Sequence, residues 1–156
     1  MFPDSVTEFT ANRKSELRRQ LLETRAALHS HRRLRADRQI CSHLLRLLGD
    51  RDHVDVAAFM PFRGEPDLTP AMQALSEAGR RIWLPAVDGS SMIFRRWQPG
   101  GKMVPNRFGI PEPVDGRDCE ARHLELVLAP LVAFSGNGTR LGMGAGFYDR
   151  TFAFAN

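Results

Sequence analysis

Residues 54–85 read VDVAAFMPFRGEPDLTPAMQALSEAGRRIWLP. The first seven, VDVAAFM, are apolar and bounded by polar residues, which predicts a buried strand. PFRGEPD follows with the glycine and proline content of a loop. Thr69 and Pro70 supply an N-cap followed by a first-turn proline, and PAMQALSEAG continues as a helix that stops at Gly79. RIWLP, residues 81–85, is a second strand. Strand, helix and strand in this order form a βαβ unit, whose strands are parallel and whose crossover is right-handed.

Working outward, MIFRRW (92–97) and ELVLAP (125–130) are a third and a fourth strand. The last is apolar enough to lie centrally in a parallel sheet. The segment 98–123 is rich in Gly and Pro and reads as mostly irregular. Upstream, Leu17, Leu21 and Leu28 mark an apolar stripe on a helix over 13–29. Ile40, Leu44, Leu47 and Leu48 mark another on a helix over 33–48, with Gly49 as its stop. The expected fold class is α/β. We expect a three-layer, mainly parallel, Rossmann-like open sheet with helices on both faces, preceded by two N-terminal helices. All of 1–156 is read as a single domain.

Composition bounds the function. Apolar residues at 42% and charged residues at 26% are those of a globular protein in water. Two cysteines, Cys41 and Cys119, stand far apart without a CxxC pair, which points to a reducing, cytoplasmic setting. The five histidines lack ligand spacing for a metal. The N-terminus has neither the basic nor the apolar region of a signal peptide. The apolar run 126–134 is too short to span a bilayer. The net charge of +4 arises within residues 1–50. A basic helical start is often only a solvated face, but it also suits an anionic partner, either nucleic acid or a phosphate or carboxylate ligand.

Open α/β sheets bind ligands at the carboxyl ends of their strands. Three unusual stretches fall there: PFRGEPD, the proline-rich 105–113 segment, and RLGMGAGFYDR at 140–150. Alternating glycines can turn several N–H groups toward one anion. Arg140 can add a charge-assisted contact to phosphate oxygens. Asp149 would repel a bound phosphate unless Mg²⁺ sits between them, because Mg²⁺ takes carboxylate, phosphate and water oxygens together. The pattern is neither a Walker A loop nor a dinucleotide fingerprint. On the glycines alone, a tight structural turn competes evenly with a phosphate cradle.

RLGMGAGFYDR resembles the signature of the 5-formyltetrahydrofolate cyclo-ligase (methenyltetrahydrofolate synthetase) family. KSELR (14–18), MPFRGEPDL (60–68), RFGIPEP (107–113) and LVLAPLVAFSGNGTRLG (126–142) are similar to further family elements in the same order. The resemblance implies conversion of 5-formyltetrahydrofolate, with or without a polyglutamate tail, to 5,10-methenyltetrahydrofolate. ATP would be the co-substrate and Mg²⁺ the cofactor. It implies a nucleotide site made of Lys14, Arg18, Arg140, Leu141, Gly142, Met143, Gly144, Ala145, Gly146, Phe147 and Tyr148, with Lys14 and Arg140 catalytic. Asp149 matches a magnesium ligand. Met60, Glu65 and Phe108 match the folate pocket, which Met143, Gly144, Ala145, Gly146 and Phe147 would also border.

This chain departs from the family in places. Phe147 stands where many members have Tyr, so a hydroxyl role there is absent. Ala145 replaces a common Gly or Lys and needs a backbone conformation that Ala accepts. Only TFAFAN follows Arg150. The family's C-terminal strand and tail, with a second magnesium-linked acid, are therefore expected to be missing. Two other readings stand beside the enzyme: a relative that binds ATP or folate without turnover, and a basic nucleic-acid-binding module. The balanced charge of residues 51–156 argues against a nucleic-acid partner.

Overall fold

The computed structural model describes residues 5–49 and 54–155, with side chains from Ala11 onward. Two helices, α1 (Ser5–Ala26) and α2 (Ser30–Gly49), open the chain. They are followed by β1 (Asp55–Ala57), α3 (Thr69–Glu77), β2 (Arg81–Asp88) and β3 (Ser91–Trp97). A small hairpin of β4 (Met103–Pro105) and β5 (Pro111–Pro113) comes next, then β6 (Asp118–Cys119) and β7 (Leu126–Val127). The pair β8 (Ala133–Phe134) and β9 (Arg140–Leu141) leads into α4 (Phe147–Thr151). A 3₁₀ turn, Ala153–Ala155, follows, and the chain end at 156 lies outside the described residues.

The central sheet has the order β6-β3-β2-β1-β7. β1 runs parallel to both β2 and β7. β3 is antiparallel to its neighbours β2 and β6, so it alone is reversed and the sheet is mainly parallel, as expected. The two-residue turn Gly89–Ser90 makes this reversal, with Gly89 at φ +58°. Glycine takes that conformation without steric cost.

Successive residues of a strand point to opposite faces, and the core obeys this. Val56, Ala58, Ile82, Leu84 and Trp97 face α2 and α3, where Cys41, Leu48, Ala71, Met72 and Leu75 are buried. Ala57, Trp83, Met92 and Phe94 face the other way, against Phe147, Tyr148 and Phe152 on and just after α4. Helices therefore cover both faces.

Several local expectations are corrected. The buried stripe of α2 is Cys41, Leu44, Leu45 and Leu48, while Ile40 and Leu47 are exposed. One residue is a rotation of about 100° on a helix, and small Cys41 fits where its thiol donates to the Asp67 carbonyl at 3.3 Å. Thr69 is the first helical residue of α3 rather than its cap; Asp67 Oδ1 accepts from the Thr69 N–H at 2.9 Å instead. The strand expected over 125–130 is ordered only at Leu126–Val127. It sits at the margin of the sheet among the described residues rather than at its centre. The segment 98–123 is mostly irregular, as expected, and adds only the short strands β4, β5 and β6.

α1 begins earlier than expected and ends at Ala26. It is fastened by arginines that donate to loop carbonyls. Arg18 Nε reaches the Gly142 oxygen at 2.8 Å. Arg25 reaches Arg63 O through Nε at 3.1 Å and Leu131 O through Nη1 at 3.2 Å. Leu17, placed by its spacing on an apolar stripe, is 45% exposed.

Candidate active site

A cavity of about 710 Å³ opens at the carboxyl ends of the parallel strands. It collects Lys14 and Arg18 from α1, Met60 and Glu65 from the β1–α3 loop, Phe108 from the β4–β5 loop, and the whole of 140–149. Every residue that the sequence singled out as a site candidate lines this one cavity.

The glycine-rich segment is built for close approach. Gly144 and Gly146 have φ of +105° and +69°, which only glycine adopts without strain. A Cβ on Gly142 would meet Arg140 Nη1 at 2.8 Å. Ala145, the residue whose conformation was in question, does not have positive φ and is unstrained there. Arg18 lies beneath the segment, with its guanidinium carbon 3.6 Å from where a Gly144 Cβ would stand.

Arg140 is held on three sides. Nη1 donates to Pro130 O at 2.9 Å, Nη2 pairs with Asp149, and the guanidinium lies over the Tyr148 ring at 5.5 Å. The Asp149 side chain is 75% exposed. Lys14 is exposed, lines the cavity and makes no hydrogen bond among the described residues.

Glu65 is presented by a tight turn. Arg63 and Gly64 both have positive φ, +48° and +77°, and the Glu65 N–H closes the turn on Phe62 O at 3.1 Å. Glu65 Oε2 accepts from the Phe62 N–H at 3.0 Å. The residue is only 6% exposed, and burial pushes its carboxyl above the ordinary value; the Phe62 hydrogen bond and the Arg25 charge oppose this. Among the described residues the Tyr148 hydroxyl is buried without a hydrogen-bond partner. Burial, and then the Glu65 charge, raises its phenol, so it remains a proton donor in the cavity wall.

Sequence reasoning missed the brace beneath Phe108. Glu112 Oε1 accepts from the Val87 N–H at 2.9 Å and from Asn106 Nδ2 at 2.6 Å. Asn106 Oδ1 accepts from the N–H groups of Phe108 and Ile110 at 2.8 and 3.1 Å. Phe108 thus stands on a braced loop, 42% exposed and edge-on to Phe147 at 6.0 Å. The signal was the Asn-x-Phe-Gly run, since Asn side chains commonly bond the backbone two residues on.

The lining carboxylates Glu65 and Glu112 are already engaged by N–H groups. No group of three or more His, Cys, Asp or Glu able to hold a metal occurs among the described residues. Asp149 is the exposed carboxylate beside the cradle. One carboxylate suits a cation such as Mg²⁺ that completes its shell with ligand oxygens and water.

The fold and cavity define an α/β protein with a cavity at the carboxyl ends of its parallel strands, beneath a glycine-rich segment, the place where open α/β sheets bind ligands. The model of the 5-formyltetrahydrofolate cyclo-ligase family matches residues 10–156, and the chain belongs to that family. The chain is 43% identical over 101 residues to the 5-formyltetrahydrofolate cyclo-ligase of Escherichia coli K12, covering 62% of this chain and 56% of that protein. It thus spans little more than half the length of that relative. It is 31% identical over 144 residues to the Haemophilus influenzae cyclo-ligase, covering 89% of this chain and 77% of that one. The structure is similar to that of Aquifex aeolicus 5,10-methenyltetrahydrofolate synthetase, with a TM-score of 0.80 and 34% identity over 90% of this chain and 72% of the other. A synthetase from Mycoplasma pneumoniae is similar at a TM-score of 0.73 and 25% identity, covering 90% and 77%. No helix among the described residues is long and apolar enough to cross a membrane.

Proposed function

We propose that this chain, as a single α/β domain in the cytoplasm, converts 5-formyltetrahydrofolate to 5,10-methenyltetrahydrofolate at the expense of ATP. The observation that carries the reading is the convergence of Lys14, Arg18, Met60, Glu65, Phe108 and 140–149 on one cavity.

In this reading the formyl oxygen attacks the γ-phosphorus of ATP and ADP leaves. N10 of the folate then attacks the activated formyl carbon, loses its proton, and expels phosphate with the former formyl oxygen. Such chemistry needs positioning and charge neutralisation more than covalent help from the protein. Arg140, Lys14 and Arg18 are the cations available to the phosphates, and the backbone of 142–146 allows a phosphate to approach closely. Arg140 would exchange its Asp149 partner for phosphate oxygens, which frees the carboxylate. Asp149 would then be the residue to hold Mg²⁺, which would supply charge neutralisation. Glu65 can accept paired hydrogen bonds from the amino-pyrimidine edge of the pterin, and Phe108 and Met60 can cover its flat face. Polyglutamate on the folate and the basic α1 would be complementary in charge.

The test is the appearance of methenyltetrahydrofolate absorbance from 5-formyltetrahydrofolate, ATP and Mg²⁺. ATP-dependent turnover is expected. Saturable binding of ATP and folate without turnover would replace this reading with the binding-only relative. Absence of both, together with salt-dependent binding to single-stranded RNA, would replace it with the nucleic-acid module.

A further inference from the structure

At the other end of the sheet, where β1 and β2 begin, a second cavity of about 800 Å³ opens. It shares no lining residue with the first. Its walls include Asp55 at the start of β1, Arg81 and Trp83 on β2, Arg96 near the end of β3, Lys102 and the segment 115–117.

The charges here are unbalanced. Among the described residues, Arg81, Arg96, Lys102 and Arg117 line the space with Asp55 and Asp115 as the carboxylates. Asp55 is already committed, accepting from Arg81 through Nε at 2.7 Å and through Nη2, and from Trp83 Nε1 at 2.8 Å. Arg81 holds that carboxyl below its ordinary range. Among the described residues Arg96 has no such partner, and its Nη1 is buried without a hydrogen bond. Burial, and then the like charge of Arg81, pulls the Arg96 guanidinium below its ordinary value, with Asp55 opposing less. A charged donor left unpaired out of water is among the more expensive things a fold can keep.

The wall that confines Arg96 is specific. Its guanidinium lies over the Trp83 ring at 5.8 Å. Arg117 O accepts from the Arg96 N–H at 2.9 Å. Gly116, at φ +137°, lets that segment lie flat on β3, because a Cβ there would stand 2.9 Å from the Arg96 carbonyl oxygen.

We propose that this cavity is a second binding site, separate from the cradle, for a small oxyanion ligand carrying phosphate or carboxylate. The anion accepts from the Arg96 guanidinium where it lines the cavity, and Arg81, Lys102 and Arg117 balance its charge. Trp83, 7% exposed and bonded through its indole N–H to Asp55, is a local reporter.

The experiment follows the Trp83 indole resonance of ¹⁵N-labelled protein while inorganic phosphate, and separately succinate, is titrated at constant ionic strength. A saturable shift is expected with at least one anion, and the anion that saturates assigns the class. Arg96→Gln is expected to weaken it at least tenfold, and the exposed substitution Arg117→Gln several-fold. Arg140→Ala, in the cradle, is expected to leave it unchanged. A shift that never saturates with either anion overturns the proposal. So does wild-type titration in Arg96→Gln, or, should that variant not fold, in a Lys102→Gln/Arg117→Gln double variant. Loss of the shift in Arg140→Ala also overturns it, by placing the anion in the cradle.

Discussion

Arg18→Met separates two roles for one side chain. Arg18 donates from Nε to the Gly142 carbonyl at 2.8 Å and lies beneath Gly144. If it serves only to meet a nucleotide, the ligand-free cradle is indifferent to its loss. If it holds the cradle in shape, the ligand-free cradle loosens. A hydrogen bond from a charged donor contributes about 1.5–3 kcal/mol. Arg18 is only half-buried, so the lower end applies. That corresponds to roughly tenfold in the population of the closed arrangement. Methionine keeps much of the apolar stem, so little packing is lost with the charge. The assay is amide hydrogen exchange over 141–146 without ligand, read beside the ATP dissociation constant. Exchange about tenfold faster, with ATP binding weakened by at least as much, is expected. Unchanged ligand-free exchange would refute the role as a support, whatever happened to ATP binding.

Other outcomes follow from the same geometry. Gly146→Ala forces a Cβ into the left-handed region and within 2.7 Å of Arg150 Nη1; it should cost about 1–2 kcal/mol in urea unfolding. Glu65→Gln keeps an acceptor for the Phe62 N–H but replaces acceptors facing the ligand, so folate affinity should fall roughly 10- to 100-fold in a binding titration. The same variant should flatten the pH dependence of stability. Burial raises the folded-state carboxyl, so its contribution is present below the unfolded-state value and lost as pH rises through the folded-state value. Thermal unfolding of Glu65→Gln should therefore show less loss between acid and neutral pH. Phe94→Ala empties a fully buried position whose ring centroid lies 5.8 Å from that of Phe152; calorimetry should show a loss of about 3–5 kcal/mol. Asn106→Ala removes the brace under Phe108 and should raise KM for the folate more than KM for ATP.

The βαβ unit was legible because strand and helix periods differ and Gly79 punctuates them clearly. The cradle was legible because alternating glycines beside Arg140 and Asp149 are chemically unusual, and the order of motifs did the rest. The position of 126–127 at the sheet margin was not legible. An apolar run such as LVLA reports that a strand is covered, not which neighbours it pairs with. The face of α2 was misjudged by one residue because Leu44 and Leu48 fit two adjacent stripes, and only the fit of Cys41 against the α3 entry chooses between them. The β4–β5 hairpin escaped notice because its order comes from Asn106 and Glu112 side chains rather than from strand-like periodicity.

The attachment of α1 inverts the usual rule for how a helix tolerates sequence change. Most helices fix their apolar stripe and let charged positions drift. Here Leu17 stands nearly half in solvent, while Arg25 alone reaches Arg63 O, Leu131 O and the Met143 sulfur. A lysine carries a single head and could satisfy at most one of these widely spaced acceptors well. Along α1, then, Leu17 is the free letter and Arg18 and Arg25 the fixed ones.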